Sequence, residues 1–116
     1  MKHLKERGFT LIELIIVMVI IGILTAVIVP RFLDLSDAAE TSACKQNQAS
    51  IKSAANIGYA DLALAGTARY PSDIAEMVTQ GWLESTPSCP SGGSYDSGYN
   101  STTGGCTCPN NSDHNI

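Results

Sequence analysis

The groups in this sequence that could do chemistry are few. Near the front a single carboxylate, Glu13, interrupts an apolar run from Phe9 through Val29 that carries no other charge. Beyond it stand four cysteines, Cys44, Cys89, Cys106 and Cys108, and the histidines are His3 and His114. One histidine beside Asp113 in a polar tail does not make a Ser-His-Asp or Cys-His site on a rigid scaffold. Cys106-Thr107-Cys108 lacks the spacing of a redox or zinc pair, and no second ligand set accompanies it. Asp96, Asn100 and Asp113 could offer oxygens to calcium, but "DSGYN" departs from the ordered-loop pattern. Asn100-Ser101-Thr102 and Asn111 with its nearby serines fit sugar acceptors but read as solvated loop. No catalytic residue, metal or cofactor is therefore expected. The net charge of −4, with only Arg31, Lys45, Lys52 and Arg69 basic after Arg7, argues against a general nucleic-acid partner.

Glu13 is the anomaly, because of the element that must hold it. About 20 apolar residues span a bilayer as a helix, and Phe9 through Val29 is such a stretch. Lys2, Lys5 and Arg7 precede it, offset by Glu6; after it come Arg31 and then Asp34, Asp37 and Glu40. The positive-inside rule puts the N-terminus in the cytoplasm and everything after Pro30 outside. The run is too long for an ordinary cleaved signal peptide and ends without a clean small-x-small site. A charge at mid-bilayer costs ~2.5–3.5 kcal/mol, less near the edge where Glu13 sits, and ionisable residues inside spans are functional by default. A plain single-span anchor explains the length and the flanks. It does not explain Glu13.

The stretch "RGFTLIELIIVMVIIGILTAVIVP" closely resembles the N-terminal signature of type IV prepilins and pseudopilins. The resemblance implies that a prepilin peptidase cuts after Gly8 and methylates the new N-terminal residue, Phe9. It also implies that Glu13 of an incoming subunit meets the Phe9 amine of one already docked. Independent physics supports some such pairing. An ammonium and a carboxylate are each costly in a low-dielectric interior and tolerated when paired. The Phe9 nitrogen and Glu13 lie about one turn apart on a helix, so pairing within one chain is the alternative. One charge pair per subunit would fix the axial register of helices that otherwise slide. Gly22 and Pro30 punctuate the same helix, so a kink near Ala26 is expected. The resemblance implies that this stretch loses helicity in a filament; a passive kink in a membrane span is the alternative.

After Pro30 an amphipathic stripe continues through Phe32, Leu35, Ala39, Ala43, Ile51, Ala54, Ala55, Gly58 and Leu62. The helix is expected to run from Phe9 to about Gly58–Ala60, roughly 75 Å at 1.5 Å per residue. A short second helix follows, capped by Ser72, with Ile74, Met77 and Val78 inward and Gly81 at its end. Trp82 and Leu83 should pack on the long helix. "GGSYDSGYNSTTGGCTCP" suits a two-stranded hairpin around Asn100–Gly104, and "NNSDHNI" carries no structural signal. The expected fold is α+β, a pilin-like lollipop. Residues 1–8 are a cleaved basic leader, 9–30 a transmembrane and filament-core helix, 31–60 its amphipathic continuation, and 61–116 a small headgroup.

So small a headgroup outside the cytoplasm suits disulfide staples. Cys106 and Cys108 face one side of a strand and do not readily bond each other. The expected pairs are Cys89 with Cys106 and Cys44 with Cys108. The function implied by the resemblance is a structural pilin subunit that polymerises through its N-terminal helix. Its partners are other pilins in a helical homo-oligomer, the prepilin peptidase and the inner-membrane assembly machinery. It would sit in the membrane as precursor and then in an extracellular or periplasmic filament. Alternatives are a pseudopilin of a type II secretion or DNA-uptake system, and a membrane-anchored binding module that never polymerises.

Overall fold

The computed structural model describes residues 8–116, so the basic leader residues Lys2, Lys5 and Arg7 lie outside it. In chain order it contains a long helix α1 (Leu11–Leu64), a short helix α2 (Ile74–Thr79), and strands β1 (Tyr99–Asn100) and β2 (Gly105–Cys106). Single 3-10 turns lie at Tyr95–Ser97 and Ser112–His114. The strands pair antiparallel, Tyr99 opposite Cys106 and Asn100 opposite Gly105. The architecture is the expected α+β arrangement of long helix, short helix and hairpin. The chain divides into two compact units, Met1–Ser36 and Asp37–Ile116.

The first unit is the apolar part of α1. Its side chains from Leu11 to Val29 are exposed, among them Ile12, Ile16, Val19 and Ile23. The segment is long and apolar enough to cross a membrane. Helix runs through Gly22 and Pro30 without interruption. Just before the proline, the Thr25 hydroxyl donates to the Ile21 carbonyl at 2.5 Å. That bond turns a polar side chain back onto its own backbone, so it presents no free donor.

The second unit has its own core. On α1 the residues Cys44, Gln48, Ile51, Ala54, Ala55 and Gly58 are buried, a stripe at three- and four-residue steps. Against it lie Ile74, Met77, Tyr95, Cys89, Cys106 and Cys108, with Tyr70, Trp82, Leu83 and Tyr99 at the margin. Trp82 packs as expected and donates its indole N–H to Asp61 at 3.1 Å. Small residues on α1 make room: a Cβ on Gly58 would stand 2.7 Å from both Pro71 and Trp82.

Three boundaries differ from expectation. α1 continues to Leu64 rather than stopping at Gly58–Ala60. Its stop is Gly66, at φ +93°, where Thr67 N–H reaches Leu62 O at 2.9 Å and Gly66 N–H reaches Ala63 O at 3.1 Å. Those paired bonds satisfy carbonyls that a helix end leaves orphaned. Gly81 (φ +82°) ends α2 in the same way, with Trp82 N–H on Met77 O. The cap of α2 is Asp73, which accepts from Glu76 N–H at 2.7 Å; Ser72 stands one residue outside and gives its N–H to the Glu76 carboxylate. Nor is the tail without structure. Asn111 caps the last 3-10 turn, and Ile116 N–H donates to Gln48 Oε1 at 3.3 Å.

Candidate functional site

Two places gather the candidate residues, one in each unit. The first is the junction Gly8-Phe9-Thr10 and the turn that follows. Gly8, Phe9 and Thr10 are exposed and lie ahead of α1, and Phe9 is 92% exposed. Nothing lies within 4 Å of where a Gly8 Cβ would be. The peptide bond between Gly8 and Phe9 thus lies in exposed chain ahead of the helix.

Glu13 is committed locally. Thr10 is the residue before α1, and its N–H donates to Glu13 Oε2 at 2.9 Å. In return Glu13 N–H donates to Thr10 Oγ1 at 3.3 Å. This reciprocal pair is a capping box, Thr-x-x-Glu, which satisfies two backbone donors at the start of a helix. The helix dipole favours an anion at the same spot. The Thr-x-x-Glu spacing of Thr10 and Glu13 carries the box in the sequence; the expectation instead paired Glu13 with the Phe9 amine.

The second place is built by the cysteines. Cys44 projects from α1, Cys89 precedes a turn, and Cys108 follows β2; all three are buried. Their sulfurs lie within 4.8 Å of one another, Cys44 to Cys89 at 4.0 Å and Cys89 to Cys108 at 3.6 Å. Cys106 is buried elsewhere, its sulfur 3.8 Å from the Tyr95 carbonyl. All four are free thiols in this structure, so neither expected pair, Cys89 with Cys106 or Cys44 with Cys108, is bonded. Strand alternation put Cys106 and Cys108 on one face; β2 instead ends at Cys106, which frees Cys108 to turn toward α1.

Polar groups surround the three sulfurs. Gln48 Nε2 and the Tyr95 hydroxyl each donate to Cys44 Sγ at 3.3 Å. Gln48 Nε2 also reaches the His114 carbonyl at 2.9 Å, which ties the tail to the cluster. Burial pushes the Cys44 thiol up. It also raises Cys106, to about 11. Cys108 is different. Burial pushes it up too, but the Cys44 thiol, the backbone N–H groups of Asn110 and Asn111 and the Cys89 thiol outweigh that and bring it to about 6. Gln48 and Tyr95 carried no sequence signal for this role; both look like ordinary core or stripe residues. The oxygens weighed for calcium are not gathered: Asp96 accepts from Ser94 and Asn100 from Thr102 N–H, each within its own turn.

Comparison with known proteins decides what the first site belongs to. Residues 3–29 match the prokaryotic N-terminal methylation motif. The chain is 53% identical over 51 residues to the type IV narrow pilus major component of Thermus thermophilus, covering 44% of each chain. It is 32% identical over 100 residues to type II secretion system core protein G of Pseudomonas aeruginosa, covering 86% of this chain and 63% of that one. The motif match and these relatives together support the type IV prepilin and pseudopilin family. A second core protein G, from Klebsiella michiganensis, is 27% identical over 111 residues. The chain spans less than half the length of the Thermus relative. No solved structure matches it. The prepilin motif ends at Val29. Everything the family motif specifies is therefore in the first unit, and the thiol cluster lies wholly beyond it.

Proposed function

We propose that this prepilin-family chain is a structural subunit of a type IV pilus-like filament, made as a membrane precursor. A prepilin peptidase cuts between Gly8 and Phe9 and methylates the Phe9 nitrogen. The observation that carries the reading is an exposed Gly8-Phe9 bond ahead of an exposed apolar helix whose only charge is Glu13. Before cleavage the Thr10 N–H donates to the Glu13 carboxylate, and the Glu13 N–H donates to the Thr10 hydroxyl. Cleavage creates an ammonium at Phe9. In lipid the apolar face of the helix is satisfied; leaving lipid requires other apolar helices around it, and a filament of identical helices supplies them. Van der Waals packing alone does not choose a register between such helices, whereas a buried carboxylate and ammonium penalise every register that leaves them apart. Glu13 of one subunit against Phe9 of the next meets that condition. The partners are then further pilin subunits, the peptidase and the membrane assembly machinery, and the product lies outside the cytoplasm.

Two measurements test this. Mass spectrometry of assembled material should begin at N-methylated Phe9. Glu13→Val should insert into the membrane at least as well as the parent, yet give at most about a tenth of the sheared filament. Normal filament yield from the valine variant would overturn the register role.

A second reading, a pseudopilin of a type II secretion system, is favoured by one observation. Both core protein G relatives align over more than four fifths of this chain, beyond the shared apolar helix. Loss of secreted enzymes, rather than of surface pili, on deletion of the gene would choose it.

A further inference from the structure

The thiol cluster plays no part in the assembly described above. Its geometry suits something other than a staple. A tetrahedral zinc thiolate has Zn–S bonds of about 2.3 Å, which sets its sulfurs about 3.8 Å apart. The two measured separations, 3.6 and 4.0 Å, straddle that edge, and the third sulfur pair also lies within 4.8 Å. Three sulfurs within 4.8 Å of one another can form one face of a coordination polyhedron. A disulfide uses two of them and strands the third.

The surroundings are those of a thiolate site. The amide of Gln48 and the hydroxyl of Tyr95 donate to Cys44 Sγ. Donors of this kind orient metal-bound sulfurs and spread their negative charge. Cys108 opens a Cys-Pro turn and is itself anchored by its backbone N–H, which donates to Asn115 Oδ1 at 2.6 Å. Cys89 begins a similar Cys-Pro turn, with Gly92 N–H on its carbonyl at 2.9 Å. Three separate segments therefore converge here: α1, the loop after Leu83 and the chain after β2.

We propose that Cys44, Cys89 and Cys108 form a binding site for a thiophilic d10 cation, Zn2+ or Cu+, that pins three segments of the headgroup together. Three thiols lose their protons to solvent as three metal–sulfur bonds form, and no electron is transferred. Zn2+ keeps a fourth position for water; Cu+ is satisfied by three sulfurs. Because the ligands come from residues 44, 89 and 108, binding and folding of the headgroup are coupled, and the ion enters before the core closes. Loading also protects the thiols from oxidants outside the cytoplasm.

The full-length protein, purified anaerobically in detergent from cells, should carry about one zinc or copper per chain by elemental mass spectrometry. Which metal is found separates the two ions, and either supports the site. Apo protein titrated with Co2+ should develop thiolate-to-cobalt charge-transfer absorption, with tetrahedral d–d bands in the visible. Cys44→Ser, Cys89→Ser and Cys108→Ser should each weaken Zn2+ binding at least a hundredfold. Cys106→Ser should bind within about twofold of the parent. Because a serine variant can misfold, the parent provides a second readout. Bound metal should slow alkylation of Cys44, Cys89 and Cys108 at least tenfold, and a chelator should restore it, with Cys106 unaffected. A disulfide joining any two of the three in freshly isolated protein, substoichiometric metal, or equal dependence on Cys106 would overturn the proposal. Filament formation is scored separately, so a pilin without the ion and an ion site in a non-assembling protein are told apart.

Discussion

Gly58 shows how much a single missing side chain decides. Its Cα lies under Pro71 and Trp82, and a Cβ there would come within 2.7 Å of both. Gly58→Ala should therefore destabilise the headgroup by about 1–3 kcal/mol through overpacking, despite alanine being the better helix former. Thermal unfolding measures this, and a stabilised alanine variant would mean that Trp82 moves aside freely. The carboxylates show a second lesson. Glu13 and Glu76 both follow a capping residue by three positions, and both bond backbone N–H groups. The pattern was readable at Thr10, but the expectation paired Glu13 with the Phe9 amine instead. Glu76 also pairs with Arg69 at 2.7 Å, and that guanidinium, with the Ser72 N–H, holds the carboxyl at about 2. Its ordinary value is 4.5, so the stabilisation is whole above that pH and fades as pH falls toward 2. Arg69 is half exposed, so solvent screening keeps the effect small. Denaturant midpoints of Glu76→Gln should run below those of the parent at pH 7 and meet them near pH 2.

At the scale of elements, helix interiors are easier to read than helix ends. The stripe from Ile51 to Gly58 follows from periodicity, because burial selects small and apolar residues at helical spacing. Its upstream end does not: Cys44 and Gln48 are buried, whereas the expected stripe runs through Ala43 and sets Gln48 on its flank. Nor does the end of α1. Leu62 and Leu64 continue the pattern, and what stops the helix is one left-handed residue, Gly66, which bears no mark of hydropathy. Gly66→Ala and Gly81→Ala should each cost about 1 kcal/mol, since alanine adopts that backbone region poorly. Hydrogen exchange should show faster opening of the last turn of α1 in the first variant and of α2 in the second. Unchanged exchange in both would show that packing, not the glycine, terminates these helices. The hairpin was legible from its glycines, but the tail was not. Asn111 caps its turn through Asp113 N–H, only two residues on, whereas Ile116 reaches Gln48 across 68 residues, which no local pattern encodes. The cysteine arrangement was illegible for the same reason: which sulfurs meet depends on where β2 stops.

Taken whole, the chain separates two kinds of solubility. Among the described residues, the buried hydrophobic ones, Cys44 through Cys108, all belong to the second unit, while the large apolar residues of the first are exposed. Removing residues 1–36 should therefore give a soluble protein with the far-ultraviolet dichroism and cooperative melting of a folded headgroup, unable to join filaments. Aggregation of that fragment in the absence of detergent would show that the core needs the apolar helix. Family membership was legible because the motif of residues 3–29 is local and dense. The headgroup was legible only as a class, because its specificity resides in long-range contacts.

The small residues along α1 have a consequence for sequence drift. Ala54, Ala55 and Gly58 leave no volume for enlargement, since Ala55 and Tyr70 also crowd Gly104. On the opposite side of the same turns, Lys45, Lys52 and Ile57 face outward. A saturation library over residues 44–58 should divide by helical angle: one arc intolerant of added methyl groups, the other accepting nearly any helix former. Packing thus holds the inner arc fixed, while the arc exposed in the single chain is free to drift.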